Sequence, residues 1–131
     1  MKKDIEIPVV ENVYVAVIQE LNQEHNEHDW VAYIINDQNI NIEMVLVVSE
    51  GYSETKKTTK FRHSIQELPK KSYAKIELLQ EQVFELNNLF YVTFFADGKM
   101  YEKKYLFRKN TINEKALQDI PLMNVRGVLV R

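Results

Sequence analysis

A chain that sets Asp97-Gly98 between two runs of β-formers has little conformational choice over that stretch. A two-residue hairpin turn needs positive φ at its centre, and Asp-Gly supplies it at small steric cost. Residues 89–107, LFYVTFFADGKMYEKKYLF, are therefore expected to form a hairpin. With a two-residue turn, Ala96 faces Lys99, and counting back pairs Phe94 with Tyr101, Val92 with Lys103 and Phe90 with Tyr105. A three-residue loop with a bulge would break that matching. The register puts two aromatic pairs on one face, each contributing roughly 0.2–1 kcal/mol across the strands. Phe90, Val92, Phe94, Tyr101 and Tyr105 then belong to a β core, while Tyr91, Thr93, Glu102 and Lys104 on the other face meet water.

The rest of the chain supplies partners for that hairpin. Residues 13–21, VYVAVIQEL, are apolar at both parities and predict a strand buried on both sides. The preceding IEIPVV can extend only as an edge or lead-in because of Pro8. Residues 22–28 are polar and predict a loop. Residues 30–36 and 40–48 are β-rich runs joined by Asp37-Gln38-Asn39, which predicts a second hairpin. In the later run Ile40, Ile42, Met44, Leu46 and Val48 share the expected buried face, opposite Asn41 and Glu43. A loop turning at Gly51 follows, then a strand over 58–66 with Thr59, Phe61, His63 and Ile65 on one side. Residues 72–86 fit both periods: Ala74, Ile76 and Leu78 alternate, whereas Ile76, Leu79, Val83 and Leu86 form a helical stripe. A strand to Leu79 and then a loop suits the whole better. Thr111 with Glu114 makes a capping box, so a short helix over 112–119 is expected, stopped by Pro121. Residues 126–130, RGVLV, close the chain as a strand.

About eight short strands with regular turn signals predict a mainly β fold, an antiparallel β-sandwich with an immunoglobulin-like Greek key and one short C-terminal helix. Trp30 suits the buried tryptophan of that architecture. A small β-barrel or an α+β arrangement is the alternative. The 131 residues fit a single domain over 1–131, and with three Gly and three Pro there is no linker-like stretch. The absence of cysteine excludes disulfides and thiolate chemistry. Asp4, Glu6, Glu11 and Asn12 interrupt any signal-like apolar run, and no run approaches a membrane span, so a cytoplasmic setting is expected.

Catalytic and cofactor motifs are missing: no nucleophile elbow, H-E-x-x-H, P-loop or dinucleotide fingerprint occurs. A non-catalytic role without a cofactor is therefore expected. His25-x-x-His28-Asp29 has metal-ligand residue types but sits among Glu24 and Glu27 in the expected acidic loop, so no metal is assigned there. His63 and Ser64 are neighbours on a strand, point to opposite faces, and cannot form a dyad. Charge is uneven: net −9 over residues 1–54, +6 over 55–75 and +1 thereafter, within an overall −2. The basic stretch 56–75 interleaves Phe61 and Tyr73, which suits RNA; lysines guarding a strand edge explain it better.

The segments VENVYVAV, VVSEGY with TTKFRHS, KSYAKIELL, and FELNNLFYVTFF leading into DGKMYEKKYLF together resemble a small bacterial family of similar length and unassigned function. Some members carry a phenylalanyl-tRNA synthetase subunit label. The arginine-bearing signature and glycine-rich motif of a class II synthetase core are not in this sequence. The resemblance implies a stand-alone cytoplasmic domain. Ser49, Gly51, Tyr52, Thr58, Arg62 and His63 fall in the family-like segment and are the candidate binding residues. The leading expectation is contact with a protein partner, the alternative an RNA- or tRNA-binding translation accessory using residues 56–75.

Overall fold

The Asp97-Gly98 turn forms, with φ of 52° and 74° at its two residues. Around it, the computed structural model describes residues 8–131. The strands are β1 (Val13–Asn22), β2 (Glu27–Asn36), β3 (Ile42–Tyr52), β4 (Phe61–Leu68), β5 (Ser72–Leu79), β6 (Asn87–Ala96), β7 (Lys99–Phe107), β8 (Gln118–Asp119) and β9 (Arg126–Val130). In the hairpin, Ala96 pairs with Lys99, Phe94 with Tyr101, Val92 with Lys103 and Phe90 with Tyr105, as the two-residue turn requires. The Phe94 and Tyr101 rings stack at 5.2 Å.

Two antiparallel sheets face each other, a five-stranded one ordered β5-β2-β1-β9-β8 and a four-stranded one ordered β4-β3-β6-β7. Neither closes into a barrel, so the fold is a β-sandwich. Its core is the inner face of both sheets: Val13, Val15, Val17, Ala32 and Ile34 meet Val45, Val47, Phe90, Val92, Phe94 and Tyr105. Tyr105 donates its buried hydroxyl to Val13 O at 2.6 Å, and burial holds this phenol above its ordinary range. It thus stays a donor across the core. A second cluster, Tyr14, Ala16, Ile18, Val31, Tyr33, Ile35 and Leu129, is buried on the outer face of the five-stranded sheet against Ile120 and Met123. β1 is thereby apolar at both parities because both of its faces are covered.

Several elements depart from expectation, each for a local reason. Asp37-Gln38-Asn39 does not turn a hairpin, because β2 and β3 lie in different sheets. Asn36, fully buried, sets the switch: its amide donates to Ile40 O, Leu68 O and Pro69 O at 3.0, 3.1 and 3.1 Å. The expected buried face of β3 also shifts. Met44 adopts φ 50° and the register with β6 slips between Glu43 and Leu46, so Val45 and Val47 turn inward while Met44 and Leu46 are exposed. A bulge inserts one residue and reverses which parity is buried. β3 continues to Tyr52, so Ser49 and Gly51 are strand residues rather than loop. β2 begins at Glu27, inside the expected loop, and the turn before it is confined to residues 23–26.

Residues 72–79 form a strand and only a 3-10 turn, Glu81–Val83, follows. The expected C-terminal helix shrinks to one 3-10 turn, Glu114–Ala116, capped by Asn113, which accepts from Lys115 N at 2.9 Å. Thr111 instead donates its hydroxyl to Arg108 O at 2.6 Å, so the box never closes. Trp30 is only half-buried, on β2, where it meets Phe84 edge-on at 5.9 Å. It is not a central core tryptophan. The extended lead-in expected over IEIPVV lies, up to Ile7, outside the described residues. Among the described residues no helix is long and apolar enough to cross a membrane.

Candidate functional site

Ser49 and His63 are brought together by adjacent strands, Ser49 from β3 and His63 from β4, both on the inner face of the four-stranded sheet. A third residue, Glu77 of β5, reaches them from the other sheet. Its Oε1 accepts from Ser49 Oγ at 2.5 Å and lies 3.0 Å from His63 Nε2. The His63 and Glu77 side chains are 30% and 15% exposed, and Ser49 is buried. β4 and β5 are edge strands on the same side of the sandwich. The trio therefore spans the open mouth between the two sheets.

Simple alternation along β5 directs Glu77 to water. A register shift against β2 between Ala32 and Tyr33 inserts Ile76, so Glu77 and Leu79 face inward and Leu78 faces out. The apolar doublet Leu78-Leu79 is the one sequence trace of that shift.

The geometry limits the chemistry. A Ser-His-carboxylate triad places the imidazole between hydroxyl and carboxylate. Here the carboxylate is in the middle, holding both partners, and Ser49 Oγ donates its hydrogen bond to Glu77 rather than to His63. Ser64 is exposed on the opposite face, as strand alternation demands. The adjoining cavity, lined by Ser49, Gly51, Thr58, Glu77, Asn88 and Phe90, is about 60 Å³. Small-molecule sites run to about 300–1,000 Å³. The cluster is a polar clasp between edge strands. Glu77→Ala, which removes the shared acceptor and strands a buried hydroxyl, is expected to cost about 1–3 kcal/mol in urea unfolding.

The remaining candidates divide between the two faces. Gly51 and Thr58 face the clasp: Thr58 Oγ1 accepts from Gly51 N at 2.8 Å, and Thr58 N donates to Gly51 O at 2.8 Å. Gly51 makes no turn. A Cβ there would meet Leu86 Cδ1 at 3.1 Å and Thr58 Cγ2 at 3.2 Å, so its small size serves close packing. Tyr52 and Arg62 belong to the outer face, because Arg62 pairs with Val48 and Tyr52 follows Glu50 by two residues. Tyr52 and Arg62 thus lie on the opposite face from His63. Among the described residues no group of three or more His, Asp or Glu side chains is arranged to hold a metal ion; Asp29 accepts from Asn22 Nδ2 at 3.2 Å.

The basic segment is dispersed rather than gathered. Lys57 and Lys60 flank Glu50 at 3.8 and 4.0 Å, Lys71 pairs with Asp37 at 2.9 Å, and Lys75 with Glu20 at 3.4 Å. Those carboxylates sit on β3, on the β2–β3 connection and on β1. No continuous cationic track results.

The outer face of the four-stranded sheet is unlike its counterpart on the other sheet. Reading across β4, β3, β6 and β7, the rows are Glu67, Glu43, Phe95, Met100; then Ser64, Leu46, Thr93, Glu102; then Arg62, Val48, Tyr91, Lys104; and last Lys60, Glu50, Leu89, Leu106. Met44 is 66% exposed and Met100 51%, with Leu46 and Phe95 also exposed and Val48, Leu89, Tyr91 and Leu106 half-buried. Tyr91 donates to Glu102, which raises the Tyr91 phenol above its ordinary range, and Lys104 Nζ lies 5.8 Å from the Tyr91 ring centre. Apolar side chains thus form a band from Phe95 and Met100 through Leu46, Val48 and Tyr91 to Leu89 and Leu106, with charged residues beside it on β3, β4 and β7. Strand alternation made the hairpin part of this face legible; the bulge at Met44 hid the part on β3. Comparison of the chain with protein-family models, with curated proteins and with solved structures finds no match.

Proposed function

We propose that this chain is a non-catalytic β-sandwich domain of the cytoplasm that works by protein–protein contact through the outer face of its four-stranded sheet. The observation that carries the reading is the exposed apolar band of Leu46, Phe95 and Met100, in neighbouring rows of one face, with exposed Met44 at the bulge beside them. Isolated exposed apolar residues are ordinary, whereas a contiguous band rimmed by charge is the pattern of an interaction site. The polar clasp supports a non-catalytic role, since His63 reaches Glu77 and not the Ser49 hydroxyl, as a Ser-His-carboxylate triad would require.

The connectivity supports an immunoglobulin-like Greek key. β1 and β2 share a sheet, β3 and β4 cross to the other, β5 returns beside β2, and β6 and β7 cross again beside β3. RNA binding, the alternative, draws less support. Four of the seven cations between residues 56 and 75 have a carboxylate within 4.0 Å, on three separate parts of the fold.

A photo-crosslinking residue placed at Phe95 or Met100 in living cells tests the contact reading. Discrete protein adducts are expected from those positions and none from Leu78, which is exposed on the opposite sheet. Equal, diffuse labelling at all three positions would refute it.

A further inference from the structure

Resting on that contact reading, we infer that the occupant of the face is a second copy of this chain, docked about a two-fold axis that crosses the strands between the Leu46–Thr93 row and the Val48–Tyr91 row. Such an axis leaves each strand facing its own counterpart and exchanges the rows about the axis. Every contact then occurs twice, as an isologous interface requires.

The rows are complementary under this exchange. Glu102 meets Lys104 of the second copy, and Lys104 meets its Glu102, because the two are one row apart on β7. Glu67, at the β4 end of the first row, meets Lys60 at the β4 end of the last. Glu43 faces Glu50, whose charge Lys57 balances, so that contact is neutral. The apolar positions also find each other: Phe95 faces Leu89, Met100 faces Leu106, and Leu46 faces Val48. The competing axis, parallel to the strands, would set Arg62 against Lys104 in the same row and is disfavoured by like charge. Sheets pack face to face about 10 Å apart, close enough for such side chains to interdigitate. Mixed charge of both signs on one face also argues for self-association over a uniformly acidic or basic partner.

The test uses the purified full chain and sedimentation equilibrium. Wild type is expected to reach twice its 15.5 kDa mass at high micromolar concentration. Glu102→Lys and Lys104→Glu each place like charges at both symmetry-related contacts and should weaken the dimer at least tenfold. An equimolar mixture of the two single variants should dimerise as a heterodimer, and the double swap should return to within about threefold of wild type. Circular dichroism of each variant separates misfolding from dissociation, and the rescue in the mixture requires both proteins to be folded. A wild-type chain that stays monomeric at several hundred micromolar, or a mixture that gains no dimer, would overturn the inference. If the chain is monomeric while Phe95 and Met100 still crosslink to a different protein, self-association falls and the contact reading stands. Absence of discrete crosslinks together with a monomer removes both.

Discussion

Asn36→Asp is expected to unfold most of the protein at neutral pH, and Asn36→Ala to cost about 3 kcal/mol in urea unfolding. The Asn36 amide donates to three carbonyls, from Ile40, Leu68 and Pro69, and its own Oδ1 accepts from Gln38 N at 3.1 Å. Those bonds join the end of β2, the start of β3 and the end of β4, where the chain passes between sheets. Alanine leaves buried carbonyls without a donor, at about 1–3 kcal/mol for an unsatisfied group. Aspartate does worse. It replaces the donor by an oxygen and directs a negative charge at the same three acceptors, with no cation in the ring of partners. The pH dependence has a definite sign. A carboxyl in that position is held above its unfolded value of about 3.9, so the folded state prefers it protonated. The penalty is complete at neutral pH and shrinks as pH falls toward 4. Urea titrations of Asn36→Asp at pH 7 and pH 4, each against wild type, measure that difference. A gap that does not narrow at the lower pH would show that Asn36 is not the donor holding the switch.

The role of Asn36 also shows where sequence patterns stop being informative. The β6–β7 hairpin was legible to the residue, because Asp97-Gly98 fixes loop length and loop length fixes register. The sandwich itself was legible from strand spacing and from the double-sided apolar run in β1. Two bulges were not. Positive φ at Met44 and the extra residue at Ile76 each reverse the buried parity downstream, and neither residue type advertises such a conformation. The first hid the apolar band by assigning Met44 and Leu46 to the core. The second hid Glu77 by sending it to solvent. Polar Asp37-Gln38-Asn39 was compatible with a tight turn, and only the long-range bonds of Asn36 send the chain to the other sheet. Ser49 and His63 are two of the six candidate residues, but their common partner Glu77 lies in the other sheet, and local sequence carries no signal for that pairing.

Gly127→Ala is expected to lower stability by about 3 kcal/mol and the melting temperature by roughly 10 °C. Gly127 lies on β9, buried, paired with Ile18 of β1 on one side and Gln118 of β8 on the other. A Cβ built there would be 2.7 Å from Ile18 Cγ2, 2.8 Å from Val17 O and 3.2 Å from Ile120 Cγ1. The isoleucine methyl can rotate away. Val17 O cannot, because it belongs to the strand between β2 and β9 whose two faces are both buried. Relief therefore means displacing β9, and with it Leu129 and Ile120, which belong to the outer cluster of the five-stranded sheet. The entropy alanine removes from the unfolded chain, worth about 0.4–1 kcal/mol, is too small to offset this. Gly51→Ala is the control. Its nearest neighbours are the ends of side chains at 3.1, 3.2 and 3.5 Å, so about 1 kcal/mol or less is expected once Leu86 and Thr58 yield. Thermal unfolding of both variants separates the two cases: a Gly127→Ala protein as stable as Gly51→Ala would mean that β9 can move off β1 without uncovering the apolar cluster beneath it.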